Sequence, residues 1–205
     1  MIGIIDYGAG NLRSVGKALE RIDEISEITS NPKELSKYEA IILPGVGAFS
    51  AAMDRLKVNG MDSHIKEYVS LGMPILGICL GMQLFYERSY EDGCFDGLGM
   101  IQGEIIKFES DTLKIPQMGW NNLKLNKWDK LCEEIGENEY VYFVHSYYAK
   151  QKNWDEVIYY TEYGVNVPAV VRNGNIFGMQ FHPEKSGTTG LKLLKNFISE
   201  IRGAS

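Results

Sequence analysis

The chain has 205 residues, 44% of them apolar, and a formal net charge of −6. That length buries a sizeable core and favours one domain over residues 1–205. The acidic balance argues against the basic stripe that nucleic acid or an anionic membrane surface requires, and no apolar stretch reaches the roughly 20 residues of a membrane span.

Met1 leads directly into "IGII" (2–5), a strand candidate with no basic segment or cleavable apolar stretch before it, which predicts a cytoplasmic location. In "NLRSVGKALERI", Leu12, Val15, Leu19 and Ile22 fall at helical spacing. "EAIILPG" (39–45) reads as a buried strand ended by Pro-Gly, and helical patterns follow through "FSAAMDRL" and "MDSHIKEYVSLG". "PILGIC" (74–79) repeats the buried-strand pattern, and the residues after Leu80 read as the opening of a helix. Strands separated by helices predict right-handed crossovers and a mainly parallel sheet covered on both faces. From about Gly97 the texture changes to short runs rich in β-branched and aromatic residues: "GMIQGEIIKF", "MGWNNLKL", "EYVYFVHSYYAK", "EVIYYTEYG" and "PAVVRNGNIFGMQF". "RNGN" (172–175) predicts a hairpin turn, because Asn-Gly readily adopts positive φ. The closing helix places Leu191, Leu194, Phe197, Ile198 and Ile201 on one face. The pattern is one α/β domain carrying an antiparallel extension, without repeats or an evident linker.

Three cysteines, Cys79, Cys94 and Cys132, are an odd count that argues against a disulfide framework. Cys94 and Cys132 suggest no chemistry and read as structural. Gly77-Ile78-Cys79-Leu80-Gly81 has the Gly-x-nucleophile-x-Gly form of a nucleophile elbow, with sulfur replacing oxygen. The flanking glycines permit a sharp strand-to-helix turn without Cβ clashes, which predicts a strained, exposed nucleophile. A helix N-terminus behind Cys79 favours the thiolate, and the Leu80 amide faces an oxyanion. Cys79 alone fits a buried strand-end cysteine equally well. Its partner decides, and the chain has three histidines. His64 lies on a helix expected to be solvated. His145, in a strand among aromatic residues, reads as a satisfied, partly buried histidine whose segment borders a site. His182, in "GMQFHPEKSG", stands at a strand end with Glu184 two residues on. Residues i and i+2 of an extended segment share a face, so Glu184 fixes the imidazole while the other nitrogen meets sulfur. Together these residues form a Cys-His-Glu triad. "LPGVGAF" (43–49) leaves backbone amides free after a buried strand, as an oxyanion hole requires; a tight βα turn needing glycine is the plainer reading. The histidines and cysteines have no metal-ligand spacing, and no phosphate loop is present, so no metal or cofactor is expected.

"GICLGMQL", "PGVGAF" and "FHPEKS" resemble the nucleophile, oxyanion and His/Glu segments of the class I glutamine amidotransferases, in that family's order and over essentially the whole chain. "IGIIDYGAGNLRSV", "IPQMGWN" (115–121) and "YFVHSYY" (142–148) further resemble the glutaminase subunits of imidazole glycerol phosphate synthases. The resemblance implies a flavodoxin-like three-layer α/β sandwich and hydrolysis of glutamine by Cys79, His182 and Glu184. It implies oxyanion amides at Leu80 and the Gly45-Val46-Gly47 turn, and glutamine binding by Gly47, Gln83, Glu91, Ser146 and Tyr147. It also implies a heterodimer with a (β/α)8-barrel cyclase subunit that receives ammonia, docked at Asn11, Ser14, Met118, Trp120, Asn121 and Tyr142; Trp120 is otherwise a core residue. The peptide at Val46 is implied to reorient when the partner is occupied, so the isolated chain is expected to hydrolyse glutamine poorly. Three alternatives remain at this stage: a paralogue that supplies ammonia for a bacterial surface sugar, a free-standing cysteine hydrolase, and a scaffold or regulatory module with a vestigial triad.

Overall fold

The structure, a computed structural model, describes residues 1–203; residues 204 and 205 of the expected domain lie outside that range. Its first half runs β1 (Ile2–Ile5), α1 (Leu12–Glu20), β2 (Ser26–Thr29), β3 (Ala40–Gly45), α2 (Phe49–Val58), α3 (Met61–Ser70) and β4 (Ile75–Cys79). The alternation follows the sequence pattern, except that β2, with its half-exposed "SEIT", has no apolar run to announce it. The helix expected after Leu80 is a single turn, α4 (Leu80–Gln83). Leu84, Phe85 and Tyr86 are consecutive and all buried. The chain leaves the helix after this single turn and enters β5 (Tyr86–Ser89), carrying Phe85 and Tyr86 into the core. The strand-rich half continues with β6 (Phe95–Asp96), β7 (Ile101–Lys107), β8 (Gln117–Asn122), β9 (Lys124–Leu125), β10 (Tyr140–His145), β11 (Tyr147–Gln151), β12 (Val157–Glu162), β13 (Asn166–Asn173) and β14 (Ile176–Met179), before α5 (Gly187–Gly203).

The main sheet has eight strands in the order β2-β1-β3-β4-β14-β13-β12-β9. From β2 to β14 neighbours are parallel; β13, β12 and β9 add antiparallel pairs. This is a flavodoxin-like α/β sheet with an antiparallel extension. Side-chain alternation sends Ile2, Ile4, Ile42, Leu76 and Ile78 to a core shared with α1 and with Leu193, Leu194, Phe197 and Ile198 of α5. Ile5, Ile41, Leu43 and Ile75 face a second core with Phe49, Leu56 and Ile65 of α2 and α3. Burial on both faces explains the near-continuous apolar runs, each full side chain contributing about 1.5–3 kcal/mol. The antiparallel β8–β10 ribbon adds Val141 and Phe143 to the first core, and the β11-β7-β5-β6 sheet adds Ile101, Ile105 and Ala149 to the second.

The β13–β14 hairpin forms, but its central residues are Gly174 and Asn175, one step later than the Asn-Gly signal. Gly174 takes the positive φ, 60°, at the first central position. Among the described residues no helix is long and apolar enough to cross a membrane.

Candidate active site

Parallel register assembles the site. Gly45, the last residue of β3, pairs with Cys79, the last of β4, and Met179 of β14 pairs with Ile78. Three strand ends therefore finish level, and residues 180 to 182 emerge beside Cys79 at the carboxyl edge, where open α/β sheets bind ligands. Cys79 has φ 55° and ψ −113°, a conformation that costs a non-glycine residue about 1–3 kcal/mol. The flanking glycines serve space rather than φ. A Cβ on Gly77 would lie 2.5 Å from Phe85 Cε2, and one on Gly81 would lie 1.8 Å from the Leu43 carbonyl oxygen. The strain expected from the sequence is present and the exposure is not: Cys79 is 6% exposed, its sulfur 4.0 Å from the Val144 carbonyl oxygen of β10, which covers it. Because α4 is one turn long, it carries no summed helix dipole, only the unpaired amides of a first turn.

His182 and Cys79 line one cavity of about 400 Å³. His182 Nδ1 is 2.9 Å from Glu184 Oε1, and both side chains are buried. The segment is clamped to β10: the His182 amide donates to the Tyr142 carbonyl at 3.0 Å, the Tyr142 amide donates to Ser186 Oγ at 2.9 Å, and that hydroxyl donates to the His182 carbonyl at 2.6 Å. Burial alone lowers the His182 pKa, but the neighbouring Cys79 sulfur and the Glu184 carboxylate outweigh burial and push it up to about 9, while Nε2, the nitrogen turned away from Glu184, has no hydrogen-bond partner among the described residues. Tyr7, buried near Cys79, is held protonated by burial first and then by the charge of Cys79.

The rest of the cavity is lined by Val46, Gly47, Leu80, Gln83, Glu91, Pro116, Val144, His145, Ser146 and Tyr147. It thus gathers every residue expected to bind glutamine. Gly45 lies below the lining, where a Cβ would be 2.6 Å from Tyr7 Oη and 2.8 Å from the Gly81 nitrogen. Gly47 has φ 98°, and Val46 is 47% exposed. Neither the Val46 nor the Gly47 amide donates a hydrogen bond among the described residues. Gln83 is buried, its Nε2 donating to the Tyr147 carbonyl and to Gln180 Oε1, each at 2.9 Å. Glu91 Oε2 accepts the Phe49 amide at 2.7 Å; burial raises its pKa against that bond. His145 Nδ1 pairs with the Tyr147 carbonyl at 2.8 Å, and burial pushes its pKa down to about 4, leaving a neutral ring.

A family model of glutamine amidotransferase class-I matches residues 3–201. The chain belongs to the class-I glutamine amidotransferases. It is 51% identical over 202 residues to the imidazole glycerol phosphate synthase subunit HisH of Caldanaerobacter subterraneus subsp. tengcongensis, covering 98% of this chain and 99% of the relative. It is 52% identical to subunit HisH 1 of Campylobacter jejuni subsp. jejuni over 96% and 98% of the two chains. A solved structure described as a glutamine amidotransferase superposes with a TM-score of 0.76 at 20% identity, covering 98% of each chain. The structure titled PurLQS from Thermotoga maritima gives 0.74 at 23%, again over 98% of each. These two likenesses concern the fold.

The remaining sequence-predicted residues lie on the β8–β10 ribbon and at the start of α1. Met118 and Trp120 are 63% and 56% exposed on the outer face of the β8–β10 ribbon, which removes the core reading of Trp120. Tyr142, paired with Trp120 in register, meets it edge to face at 6.1 Å between ring centres. Asn11 and Ser14 are half-buried at the start of α1, which packs against the turn after His182. Asn121 spends its side chain within the chain, donating to the Glu162 carbonyl at 3.0 Å and accepting from the Asn122 amide at 2.9 Å. His64 is half-buried rather than solvated, its Nδ1 2.9 Å from the Gly60 carbonyl. Cys94 is exposed and Cys132 buried, both free. Sequence reasoning missed Gln180, Ser186, Pro116 and Val144. Gln180 carried a signal, a polar residue inside the buried run "FGMQF".

Proposed function

We propose that residues 1–205 form one glutaminase domain, the glutamine-hydrolysing subunit of an imidazole glycerol phosphate synthase. The observation that carries the reading is the pairing of Gly45 with Cys79 beside the buried His182–Glu184 pair, in a cavity whose lining matches the glutamine positions. Full-length identity of about half to relatives named as that subunit supports the acceptor. Cys79, its thiol proton taken by His182, attacks the carboxamide carbon of glutamine through sulfur, and amides of Leu80 and the Gly45-Val46-Gly47 turn receive the tetrahedral oxyanion. His182 gives its proton to the departing nitrogen, so ammonia leaves as the C–N bond breaks. Water then adds to the thioester, His182 takes its proton, and glutamate is freed. The raised His182 pKa keeps the proton available for that departure at neutral pH. Glu184 fixes which imidazole nitrogen faces the sulfur. Glu91 offers a carboxylate to the substrate ammonium, and Ser146, Tyr147 and Gly47 close around its backbone.

Ammonia in open water becomes ammonium and loses the lone pair that attacks. Delivery therefore needs a docked acceptor, a (β/α)8-barrel cyclase subunit seated on the face of Asn11, Ser14, Met118, Trp120, Asn121 and Tyr142. The test is co-purification with candidate barrel partners and a glutaminase assay with each partner's substrate. Stimulation by the histidine-pathway carboxamide nucleotide is expected. Stimulation by a sugar substrate alone assigns the acceptor to surface-sugar amidation instead, and a Cys79→Ser chain as active as wild type returns the scaffold reading.

A further inference from the structure

Gln180 leaves the end of β14 two residues before His182 and is 0% exposed. Its Oε1 accepts a hydrogen from Gln83 Nε2 at 2.9 Å, and its Nε2 lies 3.9 Å from Cys79 Sγ. The second Gln83 hydrogen goes to the Tyr147 carbonyl at 2.9 Å, the same oxygen that takes His145 Nδ1–H at 2.8 Å. Every donor in this run has one assignment. His145 and Gln83 both donate to a carbonyl, so Gln83 nitrogen must face Tyr147 and Gln180, and Gln180 must present oxygen to Gln83 and nitrogen to sulfur. Flipping Gln83 would set its oxygen against the Tyr147 and Gln180 oxygens, and flipping Gln180 would set its nitrogen against the Gln83 nitrogen and its oxygen against the sulfur, each a costly arrangement in a dry interior. With both Nε2 hydrogens committed, Gln83 offers the cavity its oxygen, an acceptor.

We propose that Gln180 is a positioning residue of the glutaminase reaction: its Nε2–H supports the Cys79 sulfur as it takes negative charge, and its Oε1 locks the Gln83 amide with the acceptor oxygen toward an N–H of bound glutamine. The inference rests on Cys79 as nucleophile and Gln83 as a glutamine contact. It gives Gln83 a selective role, since an acceptor oxygen favours the carboxamide or ammonium hydrogens of the substrate and opposes the carboxylate oxygens of the product. It also joins the substrate pocket to the nucleophile through one buried side chain.

The test uses the complete complex with its partner, in a Cys94→Ser background that removes the exposed thiol. Iodoacetamide alkylation at Cys79, located by peptide mass, is followed against pH. Gln180→Leu removes both contacts. The alkylation midpoint is expected to rise by about one unit and kcat to fall about tenfold, with KM for glutamine several-fold higher. Gln180→Glu keeps an acceptor for Gln83 but turns an oxygen to the sulfur, so the midpoint rises at least as far while KM stays near wild type. The other groups facing Cys79, namely His182, Tyr7, and Glu184 acting through His182, are unchanged in both variants. An unchanged midpoint in Gln180→Glu overturns the inference, and that near-isosteric variant carries the test if Gln180→Leu does not fold. Equal changes in KM for both variants overturn the locking role. The parent reading fails separately: in that case Cys79→Ser still releases glutamate.

Discussion

Cys79 holds a backbone conformation that its own side chain opposes, and the strain belongs to the site because only a β3–β4–α4 turn this tight sets the sulfur level with Gly45. Replacing Cys79 by Ala keeps the strain and replacing it by Gly removes it. Cys79→Gly should therefore unfold at higher denaturant than Cys79→Ala by about 1–2 kcal/mol, although a glycine elsewhere costs stability. Equal midpoints would show that the turn stores no strain. His182 sets the pH window. Its pKa lies above the ordinary 6.5, so the stability it contributes is complete below pH 6.5 and is lost as pH rises through about 9. Its proton for the leaving nitrogen is lost over the same range. Glu184→Gln removes one of the charges that raise it, and the alkaline limb of kcat/KM should move down by about one unit. An unmoved limb would free Glu184 of that role. The pair was legible because histidine and glutamate stand two residues apart in an extended segment. Gln180 stood out only as a polar residue in a buried run; its role was not legible, because its amide partner lies 97 positions away and no local pattern records such a contact.

At the scale of elements, register does what motifs alone do not reveal. The buried-strand runs, their helical crossovers and the antiparallel second half could be read from apolar spacing, since each run is covered on both faces. The length of α4 could not, because "GMQLFY" is apolar whether it winds on or turns into a strand, and the choice lies with the cores that receive Phe85 and Tyr86. The burial of Cys79 was equally hidden: β10, more than sixty residues later, supplies its cover. Close approach between α4 and β3 is the most demanding contact of this turn. A side chain at Gly81 would meet the Leu43 carbonyl oxygen at 1.8 Å, and backbone has no rotamer with which to yield. Gly81→Ala should destabilise by about 3 kcal/mol or more and abolish glutaminase activity. Gly47→Ala, with nothing within 4 Å of its Cβ, bears only the cost of its φ of 98° and should lose about 1–2 kcal/mol. Thermal unfolding of the two variants side by side checks the order, and a reversal would mean that the β3–α4 packing relaxes freely.

At the scale of the whole molecule, the catalytic segment is joined directly to a ribbon whose aromatic residues face solvent, Trp120 and Tyr140 each being 56% exposed. The His182 amide is bonded to the Tyr142 carbonyl, and Tyr142 stands against Trp120, so the outer face of β8–β10 is one residue removed from the triad. A partner seated on Met118 and Trp120 would bury large apolar surface that now faces solvent, and would bear on the His182 segment through β10. Trp120→Ala should weaken binding of the proposed barrel subunit by about 2 kcal/mol or more while leaving the unfolding of the isolated chain unchanged. The oxyanion turn gives the reason that the free chain is expected to be slow. Its Val46–Gly47 turn is exposed, uncommitted in hydrogen bonding and free of steric neighbours at Gly47, so the oxyanion amides have no fixed aim until something holds the turn. Ordering by an occupied partner acts on the transition state more than on substrate binding. Glutamate release by the isolated chain should therefore run at least about tenfold below that of the complex with its nucleotide bound, with the difference in kcat rather than KM. Steady-state assays of the chain alone, with partner, and with partner and nucleotide decide it. Equal kcat in all three would place the oxyanion hole ready-made in the free subunit.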